Sequence, residues 1–100
     1  LQELDLRWNK LTTLPDSFGN LKSLQKLNLN NNELTTLPES FSQLKNLQTL
    51  DLSYNGLTTL PESLLNISNL KTIDVEGNPL DKNAKKILKK LKNQGVSVFK

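Results

Sequence analysis

Cysteine, histidine and methionine are absent from this 100-residue sequence, and aromatic residues make up only 5% of it. Without cysteine there are no disulfides or thiol nucleophiles, and without histidine there is no imidazole base. Lacking all three, the chain has neither the usual zinc sites nor haem ligands. It contains no glycine-rich phosphate loop, Ser/His/Asp set or metal-ligand spacing, so no enzyme, catalytic residue, metal site or cofactor is expected. No apolar run approaches the roughly 20 residues of a membrane span. The chain opens at Leu1 in mid-pattern with no charged-then-apolar leader, which reads as a trimmed N-terminus. The compartment stays open, because missing cysteine fits a reducing environment or a disulfide-free bacterial protein, and a signal peptide could precede Leu1.

What the sequence does contain is leucine, at 23 positions. With 35% apolar residues over 100 positions, the core is aliphatic and belongs to one domain at most. Shifted on itself by 23 residues, the chain superposes LQELDLRWNKLTTLPDSFGNLKS, LQKLNLNNNELTTLPESFSQLKN and LQTLDLSYNGLTTLPESLLNISN, then LKTIDVEGNPL. One domain, 1–100, is therefore divided into units 1–23, 24–46, 47–69 and 70–80, the last merging into a C-terminal cap at 81–100. Apolar pairs two residues apart (Leu4 and Leu6, Leu27 and Leu29, Leu50 and Leu52, Ile73 and Val75) predict one short strand per unit with one face inward. So short a unit cannot close its own core, and stacking buries a continuous column while pairing the strands in parallel. Pro15, Pro38 and Pro61 begin the return path, where the seven or so residues that follow allow a single 3₁₀ or α turn. Phe18, Phe41 and Leu64, with Leu21, Leu44 and Ile67, face inward from that side. Asn9, Asn32, Asn55 and Asn78 recur after each strand, where a buried amide satisfies the backbone of a sharp turn, and they are expected to form a structural ladder.

These columns resemble the leucine-rich repeat family, with its L-x-x-L-x-L-x-x-N-x-L signature. The second half of each unit, L-P-x-S-[FL]-x-x-[LI], looks like the 23-residue class common in bacteria and in some cytosolic eukaryotic proteins. The resemblance implies an α/β fold: a right-handed solenoid with a parallel sheet on its concave face, short 3₁₀ or helical turns on its convex face, and a helix-plus-strand cap. It also implies non-catalytic binding of a protein partner, of unspecified identity, through the sheet face and adjoining loops. Mapped here, the outward positions are Glu3, Asp5, Arg7; Lys26, Asn28, Asn30; Thr49, Asp51, Ser53; and Thr72, Asp74, Glu76. Trp8, Asn31, Tyr54 and Gly77 come next after them.

Within this set Trp8 and Tyr54 are the sharper candidates, being the only tryptophan and tyrosine and sharing one repeat position. The bland reading is that each shields a strand end. Asp5, Asp51 and Asp74 form an acidic column interrupted by Asn28, read as a solvated surface with Lys26 and Lys71 nearby. A basic-partner contact or a paired-carboxylate site is the weaker alternative, since an open sheet raises no pKa.

Charge is unevenly distributed. Residues 1–80 carry six bases against nine acids, for −3, while residues 81–100 carry seven lysines against Asp81, for +6. Asp81 is a plausible N-cap, and Ala84, Ile87, Leu88 and Leu91 make one apolar stripe of a helix ending near Gly95, with a last strand over Val96, Val98 and Phe99. Lys82, Lys85, Lys86, Lys89, Lys90 and Lys92 include like-charge i,i+4 pairs that cost a few tenths of a kcal/mol each. Weak anion binding is the functional reading, and binding that vanishes near physiological salt would mark a merely solvated face. No nucleic acid is expected, because no arginine or aromatic residue accompanies the lysines. Asn66-Ile67-Ser68 matches a glycosylation acceptor, which matters only in a chain secreted by a eukaryote.

Five strands about 4.8 Å apart and about 10–17 Å long offer a face of only ~240–400 Å², against ~800 Å² per partner in a standard interface. The competing reading is self-assembly: Leu1, Leu4, Leu6, Leu11, Leu14 and Phe18 would leave a raw apolar edge, and a homodimer forms there or through an exchanged repeat.

Overall fold

The computed structural model describes residues 1–100. Strands β1 (Glu3–Asp5), β2 (Lys26–Asn28), β3 (Thr49–Asp51), β4 (Thr72–Asp74) and β5 (Ser97–Phe99) form one parallel sheet in sequence order. Glu3 pairs with Lys26, Lys26 with Thr49 and Thr49 with Thr72, so each register step is the sequence repeat itself. The side chains of Leu27, Leu50 and Ile73 point into the core at 0–1% exposure, flanked by the equally buried Leu29 and Leu52.

The return paths are 3₁₀ turns at Asp16–Asn20, Glu39–Gln43 and Glu62–Asn66. Each is preceded by a proline with φ near −70°, and each closes as the N–H of Leu21, Leu44 or Ile67 donates to the carbonyl of Phe18, Phe41 or Leu64. Phe18 and Phe41 stack with ring centroids 5.8 Å apart and planes 8° from parallel. The stack ties the turn side of the first unit to that of the second.

The end of the solenoid differs. Helix α1 (Lys82–Asn93) replaces a 3₁₀ turn, and β5 meets β4 at a 25-residue offset, Thr72 to Ser97. Asp81 caps α1 by accepting from the Ala84 N–H at 2.9 Å. At the other end the Val96 N–H donates to Leu91 (3.1 Å) and the Gly95 N–H to Lys92 (3.0 Å), with Gly95 at φ +96°. This pair of bonds is a Schellman motif, with Val96 and Leu91 in its expected apolar contact positions and both buried. Val96 therefore belongs to the cap turn and not to the strand, which begins at Ser97. Ala84, Ile87, Leu88 and Leu91 close the leucine column at 0–5% exposure. At the opposite edge Leu1 is exposed, but Leu4, Leu6, Leu11 and Leu14 are half-buried and Phe18 is buried, so that edge is less raw than the leucine count suggests. Phe18 escapes because Phe41 covers one of its faces.

Candidate functional site

The face of the sheet away from the core presents three repeating columns whose geometry comes from the turn after each strand. In the first, Asp5, Asn28, Asp51 and Asp74 each accept the backbone N–H two residues on, from Arg7, Asn30, Ser53 and Glu76, at 2.9–3.0 Å. These are Asx turns. The acidic column is thus also one of turn-forming acceptors, which explains why Asn28 can interrupt it: an amide oxygen accepts as a carboxylate does. Lys26 and Lys71 form no ion pair with it. The one ion pair in the protein joins Arg7 to Asp5 at 2.9 Å.

The Arg7 backbone N–H, and next its guanidinium, hold the Asp5 carboxyl below its ordinary range. A depressed folded pKa contributes stability above the unfolded value, and that contribution is lost as pH falls through the folded pKa. In an NMR titration the Asp5 carboxyl is expected to have a midpoint below that of a free aspartate. Arg7→Ala should recover only part of the shift, because the main-chain donor remains. Full recovery would mean the side chain alone is responsible.

In the second column, Trp8 (φ 59°), Asn31 (φ 60°), Tyr54 (φ 57°) and Gly77 (φ 71°) all adopt the left-handed conformation. Here the chain must turn while keeping its N–H in the ladder: Trp8, Asn31 and Tyr54 donate to the carbonyls of Asn30, Ser53 and Glu76. Glycine and asparagine take this conformation at little cost, whereas a bulky aromatic residue there is an outlier. Trp8 is 74% exposed and Tyr54 54%. The Tyr54 ring lies over the next unit, its Cδ1 only 2.4 Å from where a Cβ on Gly77 would stand.

The third column is the asparagine ladder. Asn55 donates to the carbonyls of Leu52 in its own unit and Leu29 in the preceding one, both at 3.0 Å, and accepts the Leu34 N–H at 3.1 Å. Asn32 and Asn78 do the same, each stitching its unit to the one before. Asn9 bonds only within its own unit.

A family model described as a leucine-rich repeat region matches residues 1–95. The chain belongs to the leucine-rich repeat family. Among solved structures it is similar to the Leptospira interrogans leucine-rich repeat protein LIC12759, with 41% identity and a TM-score of 0.91 over 98% of this chain. The chain spans 25% of the length of that protein. In all, 91 solved chains match, so the architecture alone names no ligand. Among curated proteins, none matches. The family is typically a non-catalytic scaffold for protein–protein contacts, and no helix of this chain is long and apolar enough to cross a membrane.

On this leucine-rich repeat scaffold, Glu3, Asp5, Arg7, Lys26, Trp8, Tyr54 and Glu76 are exposed, and Asn28, Asn30, Asn31, Thr49, Asp51, Thr72 and Asp74 are half-buried. Glu3, Asp5, Lys26, Asn28, Thr49 and Asp51 line a hollow of about 310 Å³ on the sheet face. Ser53 departs from its expected outward role, at 2% exposure. Its short side chain folds back, donating to Asp51 (2.6 Å) and accepting from Asn30 (3.1 Å), so it braces two strands and is closed to a partner.

Sequence reasoning missed two features. The left-handed column was signalled by glycine and asparagine sharing one position, at Gly77 and Asn31. A second ladder on the turn side, where Asn46 donates to the Lys22 carbonyl (2.9 Å) and Asn69 to that of Lys45 (2.7 Å), was signalled by asparagine at equivalent positions in consecutive units.

Proposed function

We propose that the protein is a non-catalytic recognition module that holds a protein partner on its sheet face, with Trp8 and Tyr54 as anchors. The observation that carries this reading is the left-handed column. Two of its four positions hold residues suited to φ > 0, while the other two hold exposed aromatics that cost about 1–3 kcal/mol each in backbone strain. Strain of that kind, retained where asparagine or glycine would remove it, marks side chains kept for what they touch. Tyrosine and tryptophan also dominate interface hot spots. With three-residue strands the face itself offers only ~240 Å², so affinity concentrates in such anchors and this segment alone binds weakly.

The test replaces Trp8→Asn and Tyr54→Asn together, because asparagine tolerates the backbone. Trp8→Asn alone should raise stability by ~1 kcal/mol. A partner captured by the intact chain, then purified and titrated calorimetrically, should bind the double variant at least ~10-fold more weakly. Equal affinity for the two proteins would refute the anchors.

A further inference from the structure

The cap helix carries a charged surface that protein recognition on the sheet does not use. Lys82, Lys85, Lys86, Lys89, Lys90 and Lys92 are all exposed, none forms an ion pair, and none of their ammonium groups hydrogen-bonds within the protein. At 100° per residue they spread over an arc of about 160°, centred opposite the buried stripe, along a helix about 18 Å long. Beside them, Lys85, Lys89, Lys92 and Lys100 rim a hollow of about 570 Å³ floored by Leu88 and Val98. An adjoining hollow shares Lys85, Leu88 and Lys100, and no acidic side chain lines either one. Lys86 and Lys90, on the other side of the helix, line a hollow with Glu39, Glu62 and Asp81, and the hollows on the sheet face and along the first two 3₁₀ turns also contain carboxylates, so the acid-free part of the surface is the side carrying Lys85, Lys89, Lys92 and Lys100.

From this surface we infer that the cap helix docks the protein on an anionic lipid bilayer. The charge is entirely lysine, a compact, strongly hydrated point charge, with no arginine fork for bidentate phosphate or base recognition and no aromatic residue on the helix for stacking. The apolar stripe is committed to the core at 0–5% exposure, so contact is electrostatic adsorption without insertion. Clusters of four to eight basic residues on an amphipathic helix have the strength for this, at about 1 kcal/mol each near an acidic leaflet. The like-charge spacing, unfavourable for the helix alone, is then compensated at the membrane.

The experiment is vesicle co-sedimentation of the intact chain. Phosphatidylcholine vesicles carrying about 30% phosphatidylserine should retain it at about 0.15 M salt and release it near 0.5 M, while pure phosphatidylcholine should not bind it. Lys85→Gln/Lys89→Gln/Lys92→Gln should lower partitioning on the order of a hundredfold. Its melting temperature should be equal or higher, since the 85/89 repulsion is gone. No binding to acidic vesicles, or binding confined to salt well below 0.15 M, overturns the inference. So does an unchanged triple variant, or equal affinity for heparin or duplex DNA, which would make the surface a general polyanion binder.

Discussion

Phe41→Ala is expected to destabilise the protein by ~3–5 kcal/mol, a large part of the 5–15 kcal/mol available to a domain of this size. Phe41 is fully buried, stacked on Phe18 and packed between the 3₁₀ turns of the neighbouring units. The turns on either side are fixed by prolines and by the strand register, so the cavity cannot collapse. The loss should appear as a fall in melting temperature of ~15 °C or more. Phe18→Ala should cost distinctly less, because Phe18 lies at the end of the column with one ring face covered. Calorimetry or urea titration of both variants decides the matter: equal losses, or less than ~1 kcal/mol for Phe41→Ala, would show that the stack does not carry the return path.

Asn55→Ala is expected to cost ~3 kcal/mol, although its side chain is only half-buried. Four hydrogen bonds disappear, and the Leu34 N–H is left with no acceptor. The three carbonyls fare better, since Leu29 still accepts from Asn32, Leu52 from Asn78 and Ser53 from the Asn31 N–H. Asn9→Ala serves as the internal control at ~1 kcal/mol, because Asn9 bonds only to exposed groups of its own unit. Urea denaturation measures both. If the two substitutions cost the same, stitching between units contributes nothing beyond closing the local turn.

The contrast between these asparagines also shows which parts of the molecule were legible in advance. The leucine columns, the strand spacing and the cap stripe could be read because burial requires the same residue type in every unit, and four copies make the requirement visible. The role of Asp5, Asn28, Asp51 and Asp74 was harder to see: charge suggested a surface, while the chemistry needed was only an acceptor oxygen two residues before a turning N–H. Ser53 shares its repeat position with the exposed Arg7 and Glu76. Its burial depends on Asn30 reaching across from the preceding unit to meet it, a circumstance outside its own unit.

Trp8 and Tyr54 mark the same boundary from the functional side. Their common position is written in the repeat, but the sign of φ there is not, and without it they read as ordinary exposed aromatics. By itself, then, the sequence determined the repeat length, the parallel register, the inward columns, the placement of the cap and the separation of a basic helix from an acidic body. Those follow from periodicity and composition, which act locally and recur. Only the tertiary structure decided which outward side chains are free, which brace the turns and where the backbone is strained. The turn-bracing bonds span two residues, but the exposure of Ser53 and the ladder bonds that hold the left-handed positions are set between units 23 residues apart, and those contacts exist only once the solenoid is stacked.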